Sequence, residues 1–348
     1  MDGCYQLNKL LVKIFLEAAS NGNYKICKMV MDDSSTDINC QDDENGATAL
    51  ISSAENKQWK ICQYLLSHDN IDVTKASNNG SIALHFAAAG GNLPICKKLV
   101  EYGSLVNATD ANGFTPLMMA SMRGFYEICQ LLIGSGANIN LKAELNKIVL
   151  MAREQKSDGN SALVLAASEG HANVCQLLLE NGASVDERNG KQQTALMEAA
   201  SEGHLLTCQV LIDNGAKVTL GNTCNETALM LASRNGHSET CNLLIANGAS
   251  VDATSHCNNT ALSYASMMGN FRTVETLVCN GAKVNIVNKF GDSPLSLAAA
   301  NGNTKTCKFL LSLGATVDQP NSTGKTAFDL AANEETRQIL KAKLSSSK

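Results

Sequence analysis

A repeat of 33 residues is the feature of this sequence that most limits how the chain can fold. A short motif, Thr-Ala-Leu or Thr-Pro-Leu with some variation, recurs, and its third residue stands at positions 50, 84, 117, 163, 196, 229, 262, 295 and 328. Seven of the eight steps are 33 or 34 residues long, and one step is 46. Glycines 91, 124, 170, 203, 236, 269 and 302 follow the same spacing, including the long step. A fixed period of this length predicts an array of stacked structural repeats.

Each period has the pattern of two short helices joined by a glycine turn. The threonine or serine of the motif is a favourable N-cap, and Pro116 and Pro294 stand just inside the helix, where a missing N–H costs nothing. After the turn, aliphatic residues follow helical spacing, as in Val174, Leu177 and Leu178. A second glycine then ends this helix, and a polar stretch rich in Asn, Asp and Gly predicts a hairpin turn before the next motif.

Together these features resemble the ankyrin repeat family. The segment from Asp110 to Asn140 (DANGFTPLMMASMRGFYEICQLLIGSGANIN) matches most of the family's pattern, and the resemblance covers about residues 11–344. It implies an all-α ankyrin-repeat solenoid of about ten helix-turn-helix units joined by β-hairpin loops. The single units cannot bury their apolar faces alone, so we expect stability to come from stacking.

The repeat spacing also predicts how the chain is divided. Residues 1–41 are expected to form an N-terminal capping unit, and residues 42–142 and 156–320 the central repeats. Residues 321–348 are expected to form a C-terminal capping unit with a frayed tail.

The 46-residue step indicates an insertion at residues 143–155, within a hairpin. Its apolar residues follow helical spacing, so we predict a short amphipathic helix: Leu145, Ile148, Val149 and Ala152. Two roles remain open for this segment. It either packs beside the neighbouring hairpins or projects as a contact for a partner.

The charge balance limits the class of partner. The chain has 28 basic and 33 acidic side chains, a formal net charge of −5. A protein that coats nucleic acid needs basic groups to neutralise phosphates, so we expect no nucleic-acid partner. No run of about 18 apolar residues occurs, so we expect no membrane contact through a spanning helix. We predict a monomer in the cytoplasm, with the nucleus as the alternative.

Thirteen cysteines raise the question of disulfides or a metal site. Eight share one position in the second helix, where a thiol packs as a small hydrophobe: Cys27, Cys62, Cys96, Cys129, Cys175, Cys208, Cys241 and Cys307. Equivalent residues of neighbouring repeats stand about 8–10 Å apart, too far for a disulfide, so the thiols indicate a reducing compartment. Cys224, His256 and Cys257 fall at adjacent hairpin tips and allow the alternative of a metal-binding or catalytic protein. That alternative lacks a fourth ligand and any Cys-x-x-Cys spacing.

Catalytic motifs are missing from the sequence. Neither His-Glu-x-x-His nor Gly-x-Ser-x-Gly occurs, and Gly324-Lys325-Thr326 lacks the earlier glycine of a phosphate-binding loop. Histidines recur at equivalent turns as His171, His204 and His237, which favours a structural role. We therefore predict no enzymatic activity, no metal and no cofactor.

The ankyrin resemblance implies that partners bind a concave surface formed by hairpin tips and variable positions of the first helix. These positions hold two apolar clusters, one with Phe114, Met119 and Met122, the other with Tyr264, Met267, Met268 and Phe290. Methionine and aromatic side chains adapt well at interfaces, although such long side chains can also simply cover neighbouring repeats. The predicted binding set is completed by charged residues: Arg123, Glu169, Glu198, Glu202, Arg234 and Lys289.

An acidic stretch lies between the two clusters. Residues 157–220 hold eight acidic and three basic groups. Surface charges are often merely solvated, but their position between apolar residues favours a protein or peptide partner of basic, or mixed apolar and basic, character. The predicted function is that of a scaffold, adaptor or inhibitor. A narrower alternative is an effector that acts on host proteins.

Overall fold

The computed structural model describes residues 2–32, 36–143 and 159–346, and it is built from paired helices. Within those ranges the twenty helices are α1 (Asp2–Ser20), α2 (Tyr24–Asp32), α3 (Ala49–Glu55), α4 (Trp59–Leu65), α5 (Ala83–Ala89), α6 (Leu93–Glu101), α7 (Pro116–Met122), α8 (Tyr126–Gly134), α9 (Ala162–Ser168), α10 (Ala172–Glu180), α11 (Ala195–Glu202), α12 (Leu205–Asp213), α13 (Ala228–Asn235), α14 (Ser238–Ala246), α15 (Ala261–Met268), α16 (Phe271–Cys279), α17 (Pro294–Ala300), α18 (Thr304–Ser312), α19 (Ala327–Leu330) and α20 (Glu334–Ser346). These paired helices confirm the expected all-α class.

The connections between helix pairs differ in detail from the expected β-hairpins. Among the described residues, antiparallel pairing is limited to single bridges: Gln41 with Thr48, Lys142 with Ser161, and Gly221 with Thr227. The described turns are instead held by side chains, because in most of them an Asn or Asp at the start accepts hydrogen bonds from backbone N–H groups further on. Asn222, for example, accepts from the N–H groups of Cys224 and Glu226, both at 2.9 Å. Local side-chain bonds of this kind replace a strand ladder.

The described contacts group into two compact units. Unit 1 comprises Met1–Ala166 with Gln176–Ser184, and unit 2 comprises Ala167–Cys175 with Val185–Lys348. The division into capping and central repeats stays a prediction. The expected insertion at 143–155 lies outside the described residues except for Ala143, which is buried. The tail, expected to be frayed, is helical to Ser346 in α20, where the fully buried Leu340 holds the helix against its neighbours.

The repeat motif forms the start and the buried side of each first helix. The Thr227 hydroxyl oxygen accepts a hydrogen bond from the Met230 N–H at 3.5 Å, so it caps α13 as expected. The motif leucines are at most 2% exposed: Leu50, Leu84, Leu117, Leu163, Leu196, Leu229, Leu262 and Leu295. Burying one such side chain contributes roughly 1.5–3 kcal/mol before the entropy cost of folding. Stacking of one repeat on the next provides that burial.

In unit 2, the turn between the two helices of a repeat favours glycine for two reasons. Gly203 has a φ of 78°, in the left-handed region that disfavours other residues. A Cβ atom at Gly203 would also collide with the ring of His237 in the next repeat. The His237 Nε2 in turn lies 3.0 Å from the carbonyl oxygen of Ser201. The recurring histidine therefore packs on the neighbouring repeat, which is a structural role.

The eight cysteines of the second helices are fully buried. Burial raises the pKa of the Cys96 thiol to about 12 and that of the Cys241 thiol to about 11. These side chains are neutral small hydrophobes at physiological pH. Three other thiols, those of Cys224, Cys257 and Cys279, are exposed.

We expect iodoacetamide at about pH 8 to label Cys224, Cys257 and Cys279 in the native protein and to spare the eight second-helix thiols. The thiolate is the form that reacts. Burial raises the thiol pKa, so little thiolate is present, and it also blocks access of the reagent. Peptide mapping by mass spectrometry before and after unfolding in urea measures the labelled fraction at each site. All sites should react in urea. Labelling of native Cys208 or Cys241 as fast as Cys224 would contradict the prediction.

Candidate partner-binding surface

In unit 1, the predicted apolar residues are only partly accessible. Phe114, Met119 and Met122 are half-buried, and Arg123 is exposed. The Phe114 backbone is fixed, because its N–H donates to Asp110 Oδ1 at 2.8 Å. Its carbonyl oxygen lies 3.0 Å from the Nε2 atom of His85. Phe114 is therefore held in a defined turn.

His85 is the residue that fixes this turn from the preceding repeat. Its side chain is 1% exposed, and its Nδ1 accepts a hydrogen bond from the Ile82 N–H at 3.1 Å. The proton must then sit on Nε2, which donates to the Phe114 carbonyl. Burial lowers the pKa of His85, so the ring is neutral and suited to this paired role. The sequence predicted no part for it in the candidate surface.

In unit 2, the accessible residues form a smaller set than the sequence predicted. Met268 is 50% exposed and Phe290 is 58% exposed. Exposed charges accompany them, namely Glu169, Glu202 and Lys289. The remaining predicted residues are half-buried or buried: Met267, Glu198, Arg234 and Tyr264. Glu198 accepts a hydrogen bond at Oε1 from the Asn189 amide at 3.1 Å.

The ends of the first helices in unit 2 share one anchoring contact. In four successive repeats, the turn glycine is followed by a His or Asn. The side chain of this residue hydrogen-bonds a carbonyl at the end of the first helix of the preceding repeat. The side-chain nitrogen to carbonyl oxygen distances are 3.1 Å for His204 and Ser168, 3.0 Å for His237 and Ser201, 2.7 Å for Asn270 and Arg234, and 3.0 Å for Asn303 and Met267. Glu169, Glu202 and Met268 directly follow three of these carbonyls. They therefore project from fixed backbone positions.

Phe290 is presented in a comparable way from a turn. Its N–H donates to Asn288 Oδ1 at 2.9 Å, and its carbonyl accepts from the Ser322 N–H at 2.8 Å. Both bonds fix the backbone, while the ring remains largely exposed. A side chain held in this way loses little backbone freedom when a partner covers it.

Tyr264, expected on the surface, is 7% exposed and belongs to an internal network. Its hydroxyl donates to Glu226 Oε1 at 2.6 Å. The Arg234 guanidinium forms an ion pair with the same carboxylate and lies 4.3 Å from the centroid of the Tyr264 ring. The phenol turns inward because a buried hydroxyl needs a partner and Glu226 supplies one. Tyr264 and Arg234 thus join two neighbouring repeats.

Glu226 is the centre of this network and was missed by sequence reasoning. Glu226 is 9% exposed, and its Oε2 accepts from the Asn222 amide at 3.2 Å. Burial alone would raise its pKa, but the hydrogen bonds from Tyr264 and Asn222 and the charge of Arg234 outweigh this effect and lower it. Burial and the bond to Glu226 raise the pKa of Tyr264. The only sequence signal is position, since Glu226 directly precedes a motif threonine at the base of its turn.

The hairpin-tip thiols and histidine do not assemble into a site. Cys224, His256 and Cys257 are exposed, and in the ranges described no three His, Cys, Asp or Glu side chains are grouped so that they could hold a metal ion. None of the helices in these ranges has the length and apolar character needed to span a bilayer.

Comparisons with known proteins agree with this architecture. A family model described as "Ankyrin repeats (3 copies)" matches residues 15–110, 70–143, 145–222, 218–288 and 277–345. The ankyrin repeat protein YahD of Escherichia coli (strain K12) is 33% identical over 128 residues, 35% of this chain and 63% of YahD. The RelA-associated inhibitor of Mus musculus is 33% identical over 95 residues, 27% of this chain and 11% of that protein. The chain thus matches less than two thirds of either relative's length.

A solved structure is also similar. The crystal structure of the human ASB11 ankyrin repeat domain aligns with a TM-score of 0.59 and 28% sequence identity. The alignment covers 66% of this chain and 98% of that domain.

We expect Tyr264→Phe to lower the free energy of unfolding by about 1–3 kcal/mol, because the buried Glu226 carboxylate loses a hydrogen-bond donor. Met268→Ala, which truncates an exposed side chain, should change it by no more than about 0.5 kcal/mol. Urea unfolding followed by circular dichroism measures both. Equal effects of the two substitutions would show that the network adds nothing to stability.

The same network predicts a pH dependence. The pKa of Glu226 is lower in the folded chain than in the unfolded chain, so its ionised form stabilises the fold above the unfolded value of about 4.3. This stabilisation is lost as the pH falls through the folded pKa. The difference in free energy of unfolding between wild type and Glu226→Gln should therefore be largest at neutral pH and become smaller in acid. Glu202→Gln is the exposed control, and a difference independent of pH would contradict the assignment.

Proposed function

Because the chain belongs to the ankyrin repeat family, we propose that it is a non-catalytic scaffold, adaptor or inhibitor that binds another protein. One relative is named an inhibitor associated with another protein, which supports a role of this kind. Ankyrin folds serve many pathways, so the specific role must come from surface residues that the fold does not require. The buried thiols fit a reducing compartment such as the cytoplasm.

The observation that supports this proposal most strongly is the exposure of Met268 and Phe290 on fixed backbone in unit 2. The two residues are 50% and 58% exposed. Covering a Met or Phe side chain fully contributes roughly 1.5–3 kcal/mol, and the fixed backbone lowers the entropy cost of binding. Such residues have the properties of interface anchors.

The charges of the same unit favour a partner with basic groups. Glu169 and Glu202 are exposed at equivalent ends of two first helices. The equivalent position of the next repeat holds the exposed Asn235, and the neighbouring Arg234 is already paired with Glu226. The row therefore presents negative charge at one end and the apolar Met268 at the other. A peptide segment with both basic and apolar side chains complements it.

Unit 1 contributes a second, smaller set of contacts in this proposal. Phe114, Met119 and Met122 are half-buried and therefore offer less apolar surface than Met268 or Phe290. Arg123 is exposed beside them. We assign them a supporting role and expect their substitution to weaken binding less.

Affinity capture from a lysate of the source organism tests the proposal. The baits are wild type, Met268→Ala with Phe290→Ala, and a control with Leu206→Ala and Leu313→Ala. The control residues are 69% and 41% exposed but lie at the second helices of unit 2. We expect the first double variant to lose about tenfold or more of the captured partner, since about 1.4 kcal/mol corresponds to tenfold in affinity. The control should retain it.

Charge substitutions extend the test to partner chemistry. Glu169→Gln with Glu202→Gln should weaken capture of the same partner, and added salt should reduce the difference from wild type. Equal capture by wild type and both sets of variants would exclude this surface of unit 2 as the binding site. Thermal unfolding of each bait by circular dichroism checks that the fold is intact.

A further inference from the structure

A face of unit 1 presents lysines on three successive second helices. These lysines, together called the lysine face, are Lys25 and Lys28 on α2, Lys60 on α4, and Lys97 and Lys98 on α6. Helix α4 contacts both α2 and α6, so the three helices lie side by side. Four of the lysines are exposed and Lys98 is half-buried.

The fold does not account for these charges. None of the five lysines forms an ion pair with a carboxylate in the part of the chain that the structure describes. Lys25 and Lys60 stand in the first turn of their helices, where the helix dipole disfavours a positive charge. The carboxylates of these helices are at their C-terminal ends, at Asp32 and Glu101. The lysine face therefore holds positive charge that no described carboxylate pairs with, and this charge has a small cost in stability at Lys25 and Lys60.

Aromatic contacts give this face a defined shape. The Lys60 Nζ lies 4.8 Å from the centroid of the Tyr24 ring, and that ring meets the Tyr64 ring edge-on at 5.3 Å. These contacts connect α2 with α4. Met29, beside Lys28, is 71% exposed and adds apolar surface. The face thus combines cations with an accessible apolar side chain.

We propose that the lysine face binds an acidic peptide segment of a partner protein. Neighbouring helices pack about 8–10 Å apart, so the face spans roughly 16–20 Å, the length of about six extended residues. Carboxylates of the segment pair with the lysines, and an apolar side chain covers Met29. This surface lies in unit 1 and does not involve Met268 or Phe290, so it is distinct from the surface under Proposed function.

Two observations favour a peptide over a phosphate-rich partner. All five cations are lysines, and none supplies the planar fork with which arginine binds phosphate through two hydrogen bonds. Asp69 and Asp72 follow α4 in the adjoining turn, where they would repel a nucleic acid or an anionic membrane that extends past the face. A short peptide can end before them.

A direct binding measurement tests the proposal. The probe is a fluorescein-labelled peptide of about six to eight glutamates with one central leucine, long enough to span the face. Fluorescence anisotropy with the full chain is measured at about 0.15 M salt, where the Debye length is about 8 Å. The variant is Lys28→Gln, Lys60→Gln and Lys97→Gln together. The control is Lys191→Gln, Lys325→Gln and Lys341→Gln, which removes the same charge from exposed positions of unit 2.

We expect the control to bind like wild type and the lysine-face variant to bind about tenfold or more weakly, because three charge contacts are lost together. If the triple variant melts earlier than wild type, Lys28→Gln with Lys97→Gln replaces it, because this double variant keeps the contact between Lys60 and the Tyr24 ring. Equal weakening by variant and control, no binding by wild type, or equal binding of a glutamine peptide overturns the proposal. Tighter, lysine-dependent binding of single-stranded RNA or anionic lipid vesicles overturns the choice of a peptide.

Discussion

The contact between one repeat and the end of the preceding first helix is the interaction on which the described part of unit 2 depends. The last carbonyls of an α-helix have no partner within the helix. Here His204, His237, Asn270 and Asn303 supply that partner from the following repeat. The turn glycine of the preceding repeat leaves the space in which each of these side chains fits. Helix capping and repeat stacking are thus the same contact, which explains why the glycine and the following polar residue recur together.

This contact separates positions that the fold requires from positions that it leaves free. Glu169, Glu202 and Met268 stand beside bonded carbonyls, so their backbone is fixed while their side chains are accessible. Tyr264 stands one helical turn before Met268, yet it is buried against Glu226. Binding residues in such a fold are accordingly best sought at helix ends and turn tips. A bulky residue nearer the middle of the first helix can serve the neighbouring repeat.

Sequence reasoning predicted the helices better than the surface. The period, the hydroxyl N-caps and the shared cysteine position are local or strictly repeating properties, so the helix pairs and the buried thiols followed from them. Surface residues do not repeat from one unit to the next, and their exposure depends on which residues lie next to them in space. Met268 and Phe290 were predicted and are exposed, whereas Tyr264 was predicted with them and is buried. Glu226 and His85 were missed because their partners lie 38 and 29 residues away.

The sequence by itself determined the class of fold and the neutral burial of the second-helix thiols, because both follow from periodic burial of apolar groups. Only the tertiary structure decided which side chains turn inward. The Tyr264 hydroxyl and the Glu226 carboxylate meet because two repeats stack at one spacing and orientation, and spacing along the chain does not specify orientation. The same holds for the lysine face, where the sequence shows scattered lysines and the stacking of α2, α4 and α6 places them side by side.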